Sequence, residues 1–242
     1  MAIGYHKITG CKVAIKAIET ATYERLSIEN KVSEAQATLL CEQSEHVVNL
    51  IEEFHYQDDT FLVTKLAKGG DLLTYCLAQQ DETNWMCEQR AKHIFLQIAH
   101  GVRHMHALGI LHRDLKLLNI FMCDVSAFPR VKIGDLGLAC KLGVGESIVK
   151  KAGTLAFMAP EVLLLQPCDF KSEIYSLGIL LYTLIASRLP FESDYYSEEF
   201  KTEILRWEIP YEGPAWLHVD PNCINLLKQM LVRNPEHRIN IE

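Results

Sequence analysis

The most informative stretch of this chain is His112-Arg113-Asp114-Leu115-Lys116-Leu117-Leu118-Asn119. It brings a carboxylate, an amine and an amide close together in the sequence. Three other short runs lie on either side of it: Val13-Ala14-Ile15-Lys16, Asp135-Leu136-Gly137 and Ala159-Pro160-Glu161. A polar surface loop or a solvated charge would explain any one of these runs alone, whereas their order along one chain indicates a functional site.

In this order the four runs resemble the motifs of the eukaryotic protein kinases of the serine/threonine type. Residues 112–119 match the catalytic loop H-R-D-L-K-x-x-N, and residues 13–16 match the V-A-I-K of the third strand. Residues 135–137 stand for D-F-G with leucine in place of phenylalanine, and residues 159–161 match A-P-E. The resemblance extends over essentially the whole chain and implies an ATP-dependent protein serine/threonine kinase.

The resemblance also implies an α+β, bilobal protein-kinase-like fold in a single domain, residues 1–242. Residues 1–66 would form a small β-rich N-lobe, and residues 67–242 a larger α-helical C-lobe. We expect the N-lobe to be truncated, because ungapped counting from Lys16 puts the family's first strand and its Gly-rich loop, G-x-G-x-x-G, before Met1. The final helix is expected to be incomplete at Glu242.

The hydrophobic pattern agrees with this division into lobes. Short β-branched runs predict strands at 12–18, 47–54 and 60–66, with a turn at 8–10 before the first of them. Apolar positions at helical spacing, or polar helix-forming stretches, predict helices at 22–43, 88–107, 172–187, 197–207 and 223–232. Strands therefore precede helices along the chain, with the change of character near residues 67–70.

Composition limits the classes of partner. The chain has 242 residues, 49% of them hydrophobic, and a net charge of −7. An acidic chain is a poor match for the phosphate backbone of nucleic acids, and no apolar run approaches the ~18 residues of a membrane span. Its eight cysteines are scattered without a C-x-x-C pair, which favours reduced thiols and a cytoplasmic, or alternatively nuclear, location. Protein substrates and ATP are the expected partners.

The resemblance assigns roles in phosphoryl transfer to five residues. Asp114 would accept the proton of the attacking hydroxyl, and Lys116 would neutralise the transferring phosphoryl group. Asn119 and Asp135 would bind Mg²⁺, a hard cation that prefers oxygen ligands. Lys16 would hold the α- and β-phosphates of ATP.

Counting from these anchors predicts the nucleotide pocket. Thr64 falls at the gatekeeper position, and the hinge that would bind the adenine edge is Lys65-Leu66-Ala67. The side chains expected to sandwich the adenine ring are Ala14 and Phe121. Asp71 would reach the ribose hydroxyls.

The family pattern also predicts three buried polar contacts. Glu34 is the best candidate for an ion pair with Lys16, although ungapped spacing to residues 48–50 puts alanine at that position and an unpaired Lys16 is the alternative. Glu161 would pair with Arg238. Glu173 stands where the family normally has aspartate, and we expect its longer side chain to reach the backbone of the catalytic loop if the helix shifts.

Two features predict the acceptor. Lys116 lies two residues after the base, as in serine/threonine kinases, and Thr154 matches the threonine whose hydroxyl bonds to the base and the lysine in those enzymes. Leu138, a large unbranched residue after the D-L-G run, favours serine over threonine.

The sequence leaves alternatives open for the regulation of this domain and for its activity. Arg113 beside the base usually indicates control by a phosphate in the activation loop, yet the position three before Gly153 is Lys150. Ser147 is a candidate phosphosite; alternatively the loop is not phosphorylated, and Lys150 and Lys151 are simply solvated. An active kinase is the first hypothesis, and a pseudokinase-like binding module that lacks the Gly-rich loop is the alternative.

Overall fold

The computed structural model describes residues 1–78, 86–191, 193, 197–206 and 208–242. Its first part is a four-stranded antiparallel sheet in the order β1-β2-β4-β3. The strands are β1 (Ala2–Tyr5), β2 (Lys12–Glu19), β3 (Leu50–Tyr56) and β4 (Asp59–Lys65). This sheet is the β-rich N-lobe that the sequence predicts.

Strand register decides which side chains of this sheet face the rest of the molecule. Ala14 pairs with Thr64, and Lys16 pairs with Leu62. Because directly opposed residues lie on the same face and alternate residues share that face, these four side chains point the same way. The predicted turn at 8–10 is confirmed, with Gly10 at φ 67° and the His6 N–H donating to the Cys11 carbonyl at 2.8 Å.

The predicted helix at 22–43 is wrong, because two helices occupy this stretch. They are α1 (Thr20–Glu29) and α2 (Glu34–Leu40). Lys31 between them has φ 58°, a left-handed conformation that interrupts a helix. Ser33 and Gln36 form a capping box at the start of α2, and the Ser-x-x-Gln pattern is the signal in the sequence that a new helix begins there.

Helices dominate the rest of the chain. They are α3 (Leu72–Ala78), α4 (Glu88–Ala107), α5 (Pro160–Leu163), α6 (Lys171–Ala186), α7 (Glu198–Arg206) and α8 (Pro221–Met230). The predicted helix at 88–107 agrees with α4 at both ends, because its apolar stripe is buried from Ala91 to Met105. Helix α6 is buried almost all round, as its continuous apolar sequence predicts. Residue 207, the predicted end of α7, lies outside the described residues.

Two small two-stranded antiparallel sheets flank the segments between the lobes. Strand β5 (Ile110–Leu111) pairs with β8 (Cys140–Lys141), and β6 (Ile120–Met122) pairs with β7 (Val131–Ile133). One hydrophobic core includes β6 and β7, helices α4 and α6, and buried residues from α2 and the loop that follows it. This shared core holds the segments 112–119 and 134–138 against each other. Among the described residues, no helix combines the length and the apolarity needed to cross a membrane.

The predicted pair between Glu161 and Arg238 is confirmed. Arg238 Nη1 and Nη2 donate to the two carboxylate oxygens of Glu161 at 2.7 and 3.0 Å, and both side chains are almost completely buried. Arg238 also donates to the carbonyls of Val232, Lys171 and Arg233. The pair therefore ties the start of α5 to the end of the chain.

Candidate active site

The catalytic-loop residues connect β5 to β6 and are anchored by buried apolar side chains. Leu115 and Leu117 are buried between the polar residues. His112 is fully buried; its Nδ1 accepts from the Asp114 N–H at 3.2 Å, so its Nε2 carries the proton and donates to the Gly134 carbonyl at 2.9 Å. The alternation of polar and apolar residues in this loop thus separates the residues that anchor it from those that face the cleft.

Two residues of the site have unusual backbone conformations. Arg113 has φ 70° and Asp135 has φ 56°, values in the left-handed region that cost about 1–3 kcal/mol for residues other than glycine. Such strain persists where the surrounding structure imposes it, and it concentrates at functional sites. Arg113 lies within the run 112–119, and Asp135 begins the D-L-G run.

The predicted catalytic residues lie within hydrogen-bonding distance of one another. Asp114 Oδ1 accepts from Thr154 Oγ1 at 2.7 Å, and Asp114 Oδ2 lies 2.7 Å from Lys116 Nζ. Lys116 also donates to Thr154 Oγ1 at 2.7 Å, so the threonine contacts predicted for a serine/threonine kinase are present. Asn119 Nδ2 donates to the carbonyl and to Oδ2 of Asp114 at 2.8 and 3.0 Å. These contacts fix the orientation of the Asp114 carboxylate.

Lys16 lies between two carboxylates. Its Nζ is 2.9 and 2.8 Å from the two oxygens of Glu34 and 2.6 Å from Asp135 Oδ1. The predicted partner Glu34 is therefore confirmed, and the alternative of an unpaired Lys16 is wrong. The side chain of Glu34 reaches Lys16 from the first residue of α2.

Burial and charge act in opposite directions on these three groups. Burial lowers the pKa of Lys16, but the carboxylates of Glu34 and Asp135 outweigh it and hold this pKa above its ordinary value. Burial likewise opposes ionisation of Asp135, yet the Lys16 ammonium lowers its pKa below the usual range. Burial raises the pKa of Glu34, the most enclosed of the three groups, against the effect of Lys16. Lys16 and Asp135 are therefore both held in their charged forms.

Gly137 packs closely against this ionic group. A Cβ atom on Gly137 would lie 3.0 Å from Glu34 Oε2 and 3.1 Å from Lys16 Nζ. Both distances are tighter than ordinary contacts, so a side chain would push the three charged groups apart. This steric limit is a physical reason for the glycine in the D-L-G run.

The residues predicted to bind the nucleotide line one cavity of about 210 Å³ between the sheet and β6. It includes every predicted position: Ala14, Lys16, Glu34, Thr64, Lys65, Ala67, Asp71, Phe121 and Asp135. Val48, Leu62 and Leu136 add apolar walls that the sequence analysis did not assign. Asp71 also caps a helix. Its carboxylate accepts hydrogen bonds from the N–H and Oγ1 of Thr74 at 2.8 and 2.9 Å, which stabilises the start of α3.

The donor set fits a hard cation held jointly with phosphate oxygens. Because the Nδ2 of Asn119 donates to Asp114, its Oδ1 is left as a ligand atom. Asp135 supplies a carboxylate at the edge of the nucleotide cavity. In the described part of the chain there is no group of three or more His, Cys, Asp or Glu side chains that could hold a metal alone, and Mg²⁺ in phosphotransferases is typically bound by one or two carboxylates plus substrate phosphates.

Glu173 makes its buried contacts although its side chain is one methylene longer than the aspartate usual at this position. Its Oε1 accepts from the Arg113 N–H at 2.6 Å, and its Oε2 lies 2.7 Å from His106 Nε2. The expected contact with the catalytic-loop backbone is thus confirmed. His106 was missed by sequence reasoning, because nothing in the pattern of α4 separates it from the other histidines on that helix.

We expect Glu173→Asp to destabilise the domain. The shortened carboxylate cannot keep both contacts, and a buried group left without a partner costs about 1–3 kcal/mol. Guanidinium unfolding followed by tryptophan fluorescence measures the change, with Glu45→Asp at an exposed position as the matched control. Equal midpoints for Glu173→Asp and the unchanged chain would show that α6 moves to restore both bonds.

The family is established by comparison with known proteins. The family model described as "Protein kinase domain" matches residues 2–242. The chain is 32% identical over 238 residues to the SNF-related serine/threonine-protein kinase of Homo sapiens, and 32% identical over 231 residues to serine/threonine-protein kinase H1 of Homo sapiens. It is 30% identical over 239 residues to the calcium/calmodulin-dependent protein kinase type II of Caenorhabditis elegans. The chain belongs to the protein kinase family.

The alignments extend over most of this chain but only part of each relative. They include 98%, 94% and 98% of this chain. The corresponding shares of the relatives are 30%, 51% and 32%. What the chain shares with these relatives is therefore the protein kinase domain.

Proposed function

We propose that residues 1–242 act as one protein serine/threonine kinase domain that transfers the γ-phosphoryl group of ATP to hydroxyl groups of other proteins. One observation carries the proposal. The Asp114, Lys116 and Thr154 cluster is linked through Asn119 to the Gly134 N–H, next to Asp135 on the wall of the cavity that also contains Lys16. A positioned base and the groups that neutralise phosphate charge are the two requirements of phosphoryl transfer.

Each residue has a role that follows from its contacts. Asp114 accepts the proton of the attacking hydroxyl, and its orientation is held by three side chains. Lys116 neutralises charge on the transferring group. Lys16, kept charged by its neighbours, binds the α- and β-phosphates. Bound Mg²⁺ supplies charge neutralisation on the phosphates, and Asn119 and Asp135 offer the oxygen ligands for it.

Serine or threonine as the acceptor is supported by the Thr154 contacts with Asp114 and Lys116. The names of the relatives above, two of which contain the words serine/threonine-protein kinase, agree with this proposal. Leu138 favours serine.

The first test measures Mg-ATP binding. Ligand that binds only the folded state raises the melting temperature, by about 5–10 °C at roughly 100 Kd for a domain of this size. We expect this shift for the unchanged chain and its loss in Asp135→Ala, because the variant loses a magnesium ligand. The quantity compared is the shift on adding Mg-ATP, since removing the Lys16 contact also changes the starting stability.

Asp58→Ala, at an exposed position, is the matched control and should keep the full shift. An equal shift in Asp135→Ala and the control would contradict the role of Asp135. No shift in any of the three proteins would favour the alternative of an inert binding module.

The second test measures transfer itself, from radiolabelled ATP to a serine peptide and its threonine and tyrosine versions. It is run on residues 1–242 and on the same chain preceded by a first strand and G-x-G-x-x-G loop from a relative, because backbone N–H groups of such a loop would cover the phosphates. Transfer to serine in either protein supports the proposal. Mg-ATP binding without transfer in both would support the binding module instead.

A further inference from the structure

The end of α1 and the loop that follows it contact the activation segment, defined here as residues 135–161. Three consecutive residues, Glu29, Asn30 and Lys31, make these contacts, and we call them the α1–α2 junction. Glu29 Oε2 lies 2.5 Å from Lys150 Nζ, and Lys31 Nζ lies 3.0 Å from Glu146 Oε2. The junction therefore holds the activation segment at two places through ion pairs of opposite polarity.

Asn30 adds a buried connection at the centre of the junction. It is 2% exposed, and its carbonyl accepts from the Lys141 N–H at 3.0 Å. Its side-chain oxygen accepts from Arg113 Nη1 at 3.1 Å, and the same nitrogen lies 3.3 Å from the Leu138 carbonyl. The Nη2 of Arg113 is buried and has no hydrogen-bond partner among the residues that the structure describes. A neutral amide thus accepts a hydrogen bond from the arginine beside the base.

These contacts connect the junction to both halves of the site. Arg113 directly precedes Asp114, so its side chain and backbone affect the position of the base. Ser33 and Glu34 follow the junction within one helical turn, and Glu34 holds Lys16. A change in the position of the junction would therefore move the phosphate-binding lysine and the catalytic loop relative to each other.

Lys150 is not simply solvated. Its ammonium donates to Glu29, and this contact holds the pKa of the Glu29 carboxyl below its ordinary value. Arg25 contacts the same carboxylate at 3.3 Å from one helical turn before it. Glu146 in turn accepts from the Gly143 N–H at 3.0 Å, which orders the turn that carries it.

We propose that Glu29, Asn30 and Lys150 are positioning residues, which hold the activation segment in its ordered arrangement without a phosphate group. The inference rests on the proposed kinase function for its activity readout. A phosphate on an activation segment orders it by supplying negative charge to basic side chains. In this chain the negative charge comes from Glu29 on the N-lobe and the basic partner, Lys150, lies on the segment itself. The acidic and basic partners have thus exchanged places relative to a phosphate-dependent link, so no modification is needed to form this one.

A charge exchange tests the link between Glu29 and Lys150. Lys150→Glu and Glu29→Lys each replace the attraction by repulsion with a neighbouring charge, and each should lower kcat by roughly threefold to fivefold, the upper part of the range expected for a partly exposed pair. The double variant restores the attraction with the charges reversed, and it should recover kcat to within about twofold of the unchanged chain. Lys151→Glu, the same charge change one residue away, should leave kcat unchanged.

Hydrogen exchange of the amides in residues 139–152 gives a second readout that needs no catalysis. Both single variants should exchange faster there, and the double variant should regain protection. If transfer is absent both from this chain and from the version with an added Gly-rich loop, but protection follows this pattern, the proposed function fails and the positioning role stands. If the double variant is no better protected than the single variants, or Lys151→Glu is as damaging as Lys150→Glu, the positioning role is wrong.

Phosphatase treatment tests independence from a phosphate. After treatment, with removal verified by mass spectrometry of residues 139–152, the chain should keep its rate, and so should Ser147→Ala. A loss of rate on treatment, restored by incubation with Mg-ATP and a new phosphate in this segment, would overturn the proposal. Asn30→Ala should lower kcat in the treated protein, because Arg113 loses the hydrogen bond from its Nη1 to the Asn30 side chain.

Discussion

Asp114→Asn is expected to lower kcat by about 10²–10⁴-fold, the usual effect of removing a general acid–base group. Asparagine has nearly the same shape as aspartate but cannot accept a proton at neutral pH. It can still accept hydrogen bonds from Lys116 or Thr154 through its single side-chain oxygen, so the loop should keep most of its geometry. The loss is therefore chemical rather than structural.

The same variant should bind Mg-ATP as well as the unchanged chain does. The cavity of about 210 Å³ is lined by residues of the sheet, α2, the hinge and the β6–β7 region, and its lining does not include Asp114. Steady-state transfer to a serine peptide gives kcat, and the thermal shift with Mg-ATP gives binding. Asp58→Asn, an exposed position, is the matched control. Transfer by Asp114→Asn at the rate of this control would show that another group accepts the proton.

Breaking the buried pair between Glu161 and Arg238 is expected to have the largest effect on folding. Removal of one partner of a buried pair costs about 3–5 kcal/mol, because the other charge remains without compensation. This corresponds to a change of roughly 10²- to 5 × 10³-fold in the folding equilibrium. Arg238→Met is the direct test, since methionine fills similar space and leaves Glu161 charged and buried.

Two further variants separate the charge from the packing. Glu161→Gln combined with Arg238→Met removes both charges and should be less destabilised than Arg238→Met alone, because no uncompensated charge remains. Arg130→Met, at an exposed pair with Asp124 that is 3.5 Å long, should change stability by less than about 1 kcal/mol. Guanidinium unfolding gives the free energies. An effect of Arg238→Met as small as that of Arg130→Met would mean that the bridge does not hold α5 to the end of the chain.

Sequence reasoning was most accurate where one local pattern decides a structure. Helix α4 was predicted at both ends, since its apolar stripe repeats at helical spacing over five turns. The division at residues 29–34 was missed because α1 and α2 are both polar and helix-forming. The capping box at Ser33 and Gln36 marks the boundary. A prediction from helix propensity alone does not detect this signal.

The sequence by itself determined the family, the catalytic residues expected from its motifs and the order of strands and helices, because these depend on residue types at short, fixed spacing. It did not decide whether Lys16 pairs with Glu34 or remains unpaired, because these two residues are 18 positions apart. The contact between Glu29 and Lys150 joins residues 121 positions apart. Such contacts depend on how the lobes pack, and local spacing carries no information about distances across a shared core. Only the tertiary structure could therefore show that an acidic residue on α1 contacts the activation segment.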